Sequence, residues 1–144
     1  MHDIVLVSGG FDPIHSGHIR LIEDASRFGK VVVLLNSDKW LKDKKGLEFL
    51  PYKERETIMM ALKSVIDVIS CGDVDTTCID GLKKAIKKYK KYKIKFANGG
   101  DRDDKSTPES IFCKNNNVEL LWGVGGQEKA NSSSWILKKW KESN

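Results

Sequence analysis

The chain has 144 residues, of which 40% are hydrophobic and 31% are charged, and its formal net charge is +5. A chain of this length buries about two thirds of the surface that its unfolded form exposes, so we expect a single domain over residues 1–144 that needs no disulfides or structural metals. The three cysteines are odd in number and lack metal-type spacing, and no secretory or transmembrane pattern is present, which argues against a secreted disulfide scaffold or a membrane protein and predicts a cytoplasmic location.

Strand-like and helix-like segments alternate along the chain. Short apolar runs predict five strands, at Ile4–Val7, Val31–Leu35, Val65–Ile69, Ile94–Ala97 and Val118–Leu121. Apolar residues at helical spacing predict helices at Gly17–Phe28, Tyr52–Lys63, Asp80–Lys90, Pro108–Lys114 and Ser132–Lys139. Five β-α units predict an α/β fold, namely a Rossmann-like, doubly wound five-stranded parallel sheet with helices on both faces. Ligands of such sheets bind beyond the carboxyl ends of the strands, so functional motifs are expected there.

The first strand leads into the most informative motif of the chain, in which a glycine turn precedes two histidines spaced three residues apart. Gly9 and Gly10 let the backbone approach a bulky ligand, and Gly17 leaves room between the histidines. The helix that begins here directs free N–H groups and the positive end of its dipole at one spot, which suits a polyphosphate. The imidazoles of His15 and His18 add N–H donors that can follow negative charge as it develops on phosphorus.

The run from Gly10-Phe11-Asp12 to His15-Ser16-Gly17-His18 resembles the signature of the nucleotidylyltransferase superfamily, with its H-x-G-H motif. The resemblance implies that both histidines are catalytic and contact the transferring phosphates. It further implies nucleotide binding by the turn and the intervening glycine, that is by Gly9, Gly10, Phe11, Asp12 and Gly17. An ordinary turn with helix-start histidines is the structural alternative. A Walker loop and a dinucleotide fingerprint are both excluded by the spacing at this turn.

The segment after the second strand, from Asn36 to Gly46, is dense in lysine and poor in apolar residues, which predicts a mobile surface loop. In the resembled family this loop supplies a lysine to the phosphates, which implies a catalytic role for Lys42 or Lys44 without choosing between them. Arg55, in the following helix, matches an arginine of cytidylyltransferase-like members and is implied to bind nucleotide. An exposed helix arginine is the alternative.

A lysine-rich stretch between the third and fourth strands accounts for much of the positive charge. On a helical wheel, Leu82, Ile86 and Tyr89 share one face and the lysines fill the rest. This pattern predicts a solvated helix face rather than a nucleic-acid site.

The fourth strand is followed by Asn98-Gly99-Gly100-Asp101-Arg102, which resembles the G-G-D segment of heptose 1-phosphate adenylyltransferases. The resemblance implies that Gly99 and Gly100 permit a close approach of the nucleotide and that Asp101 holds a ribose hydroxyl, a metal or a nearby lysine. A plain Gly-Gly-Asp turn is the alternative.

A run of three serines, Ser132, Ser133 and Ser134, precedes the last predicted helix. Helix capping accounts for one of them, and the remaining hydroxyls with the exposed N–H groups suggest a second phosphate cradle. The resembled family carries an S-[S/T]-[S/T] run here that meets the β and γ phosphates of the nucleotide. Cytidylyltransferases carry an arginine five residues before that run, where this chain has Gln127, and Lys129 is the candidate replacement for its charge.

The implied reaction is attack of a phosphate oxygen of a small acceptor on the α-phosphorus of a nucleoside triphosphate, with release of pyrophosphate. Magnesium is the implied cofactor, bridging the phosphates. The missing arginine, together with the N-S-D and G-G-D segments, favours ATP and a sugar phosphate over CTP and a polyol phosphate such as glycerol 3-phosphate.

A second class of function keeps the fold without catalysis, as a nucleotide-binding or nucleic-acid-binding module. The lysine-rich helix supports it, as does Gly10, where many members of the superfamily have threonine, whereas the intact histidines favour the enzyme. Small nucleotidylyltransferases are often dimers, and the aromatic side chains of Trp122, Trp135 and Trp140 offer surface for a partner, so a homodimer is expected.

Overall fold

The computed structural model of the protein describes residues 3–72, 77–99, 106–126 and 133–143. Within these ranges the chain forms five strands and six helices. In chain order they are β1 (Ile4–Gly9), α1 (Ser16–Ala25), β2 (Lys30–Leu35), α2 (Asp38–Lys45), α3 (Tyr52–Ala61), β3 (Val65–Ser70), α4 (Ile79–Lys88), β4 (Ile94–Gly99), α5 (Pro108–Asn115), β5 (Glu119–Val124) and α6 (Ser133–Ser143).

The strands form one parallel sheet in the order β3-β2-β1-β4-β5. β1 lies at its centre, where Ile4 is in register with Lys30 of β2 on one side and with Ile94 of β4 on the other. The predicted doubly wound five-stranded sheet is therefore confirmed. The strand order changes direction between β1 and β4, and this is the place where such sheets bind ligands, beyond the carboxyl ends of the strands.

Helices cover both faces of the sheet, because the side chains of each strand alternate between two cores. Ile4 and Leu6 of β1 belong to the core that contains buried residues of α4 and α5, namely Leu82, Ala85 and Cys113. Val5 and Val7 belong to the core that contains buried residues of α1 and α3, namely Ile22, Ala25 and Met59. The two faces are called here the α4–α5 face and the α1–α3 face.

The lysine-rich stretch forms α4 with its charged side in solvent, as predicted. Leu82 and Ala85 are fully buried, whereas the lysine side chains are exposed. Lys84 pairs with Asp80 at 3.0 Å, and Lys88 pairs with Asp67 at 2.6 Å. These exposed pairs contribute little to stability, so the helix is held chiefly by its apolar stripe.

The segment predicted to be a mobile loop is instead helix α2, so that prediction is wrong. The Ser37 hydroxyl caps the helix by accepting a hydrogen bond from the Trp40 backbone N–H at 3.1 Å. Gly46 ends it with a φ of 93°, a left-handed conformation that glycine adopts without strain. Leu41 is 0% exposed and fixes the helix on the core. Two caps and one buried leucine therefore order a stretch whose composition is otherwise typical of a loop.

α6 begins at Ser133, next to the start predicted from sequence. The ring of Trp140 lies 6.4 Å from the ring of Phe49, so the end of the helix contacts the segment that links α2 and α3. The side chains of Trp135 and Trp140 are more than half exposed. No helix in the described part of the chain is long and apolar enough to cross a membrane.

Candidate active site

A cavity of about 260 Å³ opens at the carboxyl ends of β1, β2 and β4, where the strand order changes direction. Gly9, Gly10 and Phe11 line it from the turn after β1, and His18 lines it from the first turn of α1. Lys44 and Lys45 line it from α2, and further residues come from the amino-terminal ends of α4 and α5. The cavity therefore joins the glycine turn, one predicted histidine and two lysines in one place.

The glycine turn is packed directly against α2. A β-carbon added at Gly10 would lie 2.7 Å from Cδ2 of Leu41, closer than any side-chain atom fits without a shift. Phe11 follows with a φ of 50°, an uncommon backbone conformation for a non-glycine residue, and its ring is buried. The turn is thus held from both sides, which keeps its backbone close to the cavity.

The two histidines share hydrogen bonds that define their protonation. Nδ1 of His18 accepts from the backbone N–H of His15 at 3.2 Å, and Nδ1 of His15 accepts from the backbone N–H of Gly17 at 3.0 Å. Together they form a capping box at the start of α1. Since a backbone N–H can donate only to an unprotonated nitrogen, the proton of each neutral ring lies on Nε2. The His18 Nε2–H is therefore a donor available to a phosphate oxygen.

The His18 ring is held in place and kept neutral by its neighbours. It stacks on the His15 ring with centroids 3.8 Å apart and meets the edge of Phe11 at 4.8 Å. Burial, followed by the nearby His15 and Lys45, lowers the pKa of His18 to about 3. Because the lowered pKa disfavours the imidazolium, the His18 ring is uncharged at neutral pH, and its Nε2–H can donate a hydrogen bond.

The state of His18 can be observed directly. We expect the ¹³Cε1 resonance of His18 in the free protein to stay constant between about pH 5 and pH 8, because the ring is neutral over that range. The unfolded chain takes up this proton near the ordinary histidine pKa of 6.5 and the folded chain only near 3, so the contribution to stability is complete above pH 6.5 and is lost as the pH falls towards 3. Assignment comes from the spectrum of His18→Gln. A titration centred near pH 6.5 would contradict this assignment of the charge.

Asp12, predicted to bind nucleotide, holds a loop instead of facing the cavity. Its side chain is 1% exposed. One carboxylate oxygen accepts from the backbone N–H of Phe49 at 2.5 Å and the other from that of Leu50 at 2.7 Å. Because both carboxylate oxygens accept hydrogen bonds from this loop, the structure gives no support to the predicted direct contact of Asp12 with nucleotide. The residue fixes the α2–α3 connection to the turn that follows β1.

Among the lysines of α2, the structure brings a different pair to the cavity from the pair that the sequence suggested. Lys44 lines the cavity with its Nζ 4.6 Å from the Trp40 ring centroid. Lys45 also lines it and donates to the Asp12 backbone oxygen at 2.9 Å. The Lys42 Nζ lies 3.8 Å from Glu48 and is absent from the cavity wall. Burial is the main cause that lowers the pKa of Lys45, opposed by Asp12, so a bound anion would stabilise its charge.

Arg55 lies beneath the site with its side chain 0% exposed, so the alternative of an exposed helix arginine is wrong. Its guanidinium donates to the backbone oxygens of Gly10, Asn36 and Leu50 at 3.0, 2.7 and 2.9 Å. It also pairs with the Asp38 carboxylate at 2.7 Å. With its donors engaged in this way, Arg55 positions the turn and α2 rather than reaching into the cavity.

The remaining predicted residues lie around the cavity or outside the described ranges. Gly99 ends β4, and a β-carbon there would meet Leu21 of α1 at 3.2 Å. Ser133 and Ser134 are the first two residues of α6. The other predicted nucleotide-binding residues, namely Gly100, Asp101, Lys129 and Ser132, lie outside the described residues.

Several cavity residues were missed by the sequence reasoning. Asn36 and Asn98 are 5% exposed polar side chains just after β2 and near the end of β4. Ser8, Cys78 and Glu109 line the α4–α5 side of the cavity. A polar residue at the carboxyl end of a buried parallel strand is itself a signal, and it marks Ser8, Asn36 and Asn98. Glu109 carries no such signal, because it stands in the first turn of α5 where acidic residues are common.

Comparison with known proteins identifies the sequence pattern. The family model described as cytidylyltransferase-like matches residues 6–127. The bifunctional protein HldE of Geobacter metallireducens is 33% identical over 150 residues, which cover 96% of this chain and 28% of that protein. The protein of the same name from Syntrophotalea carbinolica is 32% identical over the same shares of both chains. The chain thus spans somewhat more than a quarter of the length of these relatives.

Solved structures match the fold. A lipopolysaccharide core biosynthesis protein from Thermoplasma volcanium has a TM-score of 0.67 at 22% identity, covering 85% of this chain and 96% of that one. A putative nicotinate-nucleotide adenylyltransferase from Vibrio parahaemolyticus has a TM-score of 0.63 at 18% identity, covering 100% of this chain and 90% of that one. At these identities the likeness establishes the shared architecture.

Proposed function

Because the chain belongs to the cytidylyltransferase-like family, we propose that it is a nucleotidyltransferase that transfers a nucleoside monophosphate from ATP or CTP to a small sugar phosphate and releases pyrophosphate. The observation that carries this proposal is the convergence of the His18 Nε2–H with Lys44 and Lys45 on one cavity at the switch in strand order. These donors match the negative charge of a triphosphate undergoing substitution.

The chain's own residues suit a reaction that needs positioning more than proton transfer. In the proposed step, an acceptor phosphate oxygen forms a bond to the α-phosphorus while the bond to the bridging oxygen of the leaving pyrophosphate breaks. The acceptor oxygen is already anionic, so no general base is required. His18 donates to an oxygen on the transferring phosphorus, and Lys44 and Lys45 stabilise the charge that shifts to the pyrophosphate.

The same proposal includes a magnesium ion that binds together with the triphosphate. Within the described residues no group of three or more His, Cys, Asp or Glu side chains is placed to hold a metal ion, and both carboxylate oxygens of Asp12 are engaged by backbone N–H groups. These described side chains alone would therefore not hold the ion, and it would enter with the triphosphate. It would supply partial neutralisation of the phosphate charge.

The identity of the substrates rests on the sequence resemblance. The N-S-D and G-G-D segments, and the similarity to the bifunctional HldE proteins, support ATP with a sugar phosphate. Two further parts of the proposal are a cytoplasmic location, which the three free, buried cysteines suit, and a homodimer. The homodimer is supported by exposed Met60 of α3 and exposed Ile66 of β3, which is an edge strand of the sheet.

The test is pyrophosphate release in the presence of magnesium, with ATP and CTP supplied separately against a panel of sugar, polyol and amino-alcohol phosphates. Turnover with ATP and a sugar phosphate is the expected result, and turnover with CTP and glycerol 3-phosphate would correct the choice of substrates. An absence of turnover with every pair, together with salt-dependent binding of random oligonucleotides, would overturn the proposal in favour of a binding module.

The role proposed for Lys45 can be tested by comparison with Lys42 on the same helix. We expect Lys45→Met to lower kcat/KM by about 10- to 100-fold, because a charged hydrogen bond to phosphate is lost. Lys42→Met is the matched control on the same helix and should stay within about twofold of the wild type, since its ammonium faces Glu48. Pyrophosphate release measured on both variants gives the comparison. Equal losses in the two variants would contradict the assignment.

A further inference from the structure

The cavity is divided by charge between the two faces of the sheet. Its cationic side chains, Lys44 and Lys45, come from α2 next to the turn and His18. Among the described residues, the α4–α5 side holds neutral polar groups, including Ser8 and Asn98, and one carboxylate, that of Glu109. Side chains two residues apart on a strand point to the same face of the sheet. Leu6 and Phe96 belong to the core under α4 and α5, so Ser8 and Asn98, two residues later, face that side as well.

Glu109 is half-buried, and its carboxylate has no hydrogen bond or ion pair within the described residues. Burial is the main cause that raises the pKa of the Cys78 and Cys113 thiols, and the negative charge of Glu109 raises it further. A carboxylate in this position repels phosphate and leaves strong acceptor sites for O–H or N–H donors. This distribution of charge would confine phosphates to the lysine side and leave the other end of the cavity to an uncharged donor group or a cation.

The lining favours hydroxyl groups over a quaternary ammonium group. A quaternary ammonium ligand is bound by exposed aromatic faces. On this side the aromatic residue is Phe96, which is 3% exposed and packed in the core, and the ring of Trp40 already carries the Lys44 ammonium. The amide of Asn98 and the hydroxyl of Ser8 can each donate and accept, as polyol recognition requires. The Asn98 amide group already donates to Leu121, which orients its oxygen.

A second groove, on the other side of the site, offers room for a nucleoside. A broad groove of about 810 Å³ runs between α1 and the end of β5, beginning at Ser16 in the first turn of α1. It is bounded by Gly125, whose φ of 86° and N–H bond to Asp24 at 2.6 Å hold the chain against α1. A nucleotide extending into this groove would leave the α4–α5 side of the cavity to the acceptor.

From this arrangement we infer that Glu109 is a specificity-determining residue that accepts hydroxyl hydrogen bonds from the carbon skeleton of a polyhydroxylated acceptor phosphate. The inference rests on the proposed nucleotidyl transfer and adds to it the position and the chemistry of the acceptor. It predicts that acceptors are discriminated by their hydroxyl groups, with the acceptor phosphate turned towards His18 and its hydroxyl groups turned towards α5.

The test compares Glu109→Gln with Glu54→Gln, a matched change on the exposed surface of α3. With the best acceptor found for the wild type, we expect Glu109→Gln to raise the acceptor KM about tenfold or more and to leave the KM of the nucleoside triphosphate within about twofold. Glu109→Asp keeps the charge on a shorter side chain, so its acceptor KM should lie between those of the wild type and Glu109→Gln. Thermal unfolding of each variant shows that the fold is retained.

An acceptor that lacks one hydroxyl group distinguishes recognition of the acceptor by Glu109 from a purely structural role of this residue. The wild type should lose about tenfold or more in kcat/KM when the recognised hydroxyl is removed, and Glu109→Gln should lose much less, because its carboxylate is already gone. A raised KM for the triphosphate with an unchanged acceptor KM would assign the carboxylate to the ribose and overturn the inference, as would unchanged constants in an active variant. No turnover by the wild type with any pair overturns the proposed function as well, so the two failures are distinguishable.

Discussion

Replacing His18 with alanine is expected to lower turnover by about a hundredfold or more while the protein stays folded. The loss of one donor that meets the transition state costs about 2.7 kcal/mol or more in activation free energy. The structure supplies the reason for a large effect, because the Nδ1 of this ring is engaged by the His15 N–H and the Nε2–H remains as the donor for the transferring phosphate. The measurement is pyrophosphate release under saturating triphosphate and acceptor.

The control for this variant separates chemistry from helix capping. His18 closes the capping box of α1, so His18→Ala also leaves the His15 N–H without its partner. Glutamine at this capping position can accept that hydrogen bond, so His18→Gln should recover the stability lost in His18→Ala. We expect its turnover to remain low, because the imidazole is still absent. Full activity in His18→Ala would remove His18 from the mechanism, and recovery of wild-type turnover in His18→Gln would reduce its role to capping.

The sheet and the first motif were predictable because their signals are local. Runs such as Val31–Leu35 are buried on both faces and are recognised as strands without reference to the rest of the chain. The turn from Gly9 to His18 is one continuous stretch in which strand, turn and helix start follow within a few residues. Local patterns therefore predict the place of the cavity and two candidate histidines, of which His18 lines it.

The lysine assignment could not be made without knowing that α2 is a helix. Leu41, which packs on Gly10, is followed three and four residues later by Lys44 and Lys45, and these spacings place all three on one side of a helix. Lys42, one residue after Leu41, is turned away by about 100°. Treated as a loop, the segment offers no such relation, so the sequence alone does not choose among the lysines from Lys42 to Lys45.

Contacts between distant parts of the chain account for the other differences. Asp12 accepts from Phe49 and Leu50, which stand 37 and 38 positions further along. Arg55 bonds to the oxygens of Gly10 and Asn36, which precede it by 45 and 19 positions. A charged side chain within a helical pattern is ordinarily solvated, and only the fold places acceptors around it. The sequence therefore places Asp12 and Arg55 near the site, but it does not show that they hold the surrounding backbone instead of binding nucleotide.

Replacing Arg55 with methionine is expected to destabilise the protein by about 3–5 kcal/mol. Methionine keeps an unbranched apolar side chain but removes every donor, so the backbone oxygens of Gly10, Asn36 and Leu50 lose their partner. For a domain of this size the loss corresponds to a fall in Tm of about 10 °C or more. Urea unfolding gives the free energy. Two of these oxygens, those of Gly10 and Asn36, belong to residues that line the cavity, so activity should fall as well.

Asp38→Asn is the matched control, because it removes the charge of the one anionic partner and leaves the three carbonyl bonds in place. The Asp38 side chain is 35% exposed, so the change should cost about 1 kcal/mol or less. Arg55→Lys should fall between the two, since a single ammonium group cannot reach all four acceptors. A nucleotide-binding arginine would behave differently, with a raised KM for the triphosphate and an unchanged free energy of unfolding. A stability of Arg55→Met within about 1 kcal/mol of the wild type, accompanied by a raised KM, would therefore return Arg55 to the role implied by the family resemblance.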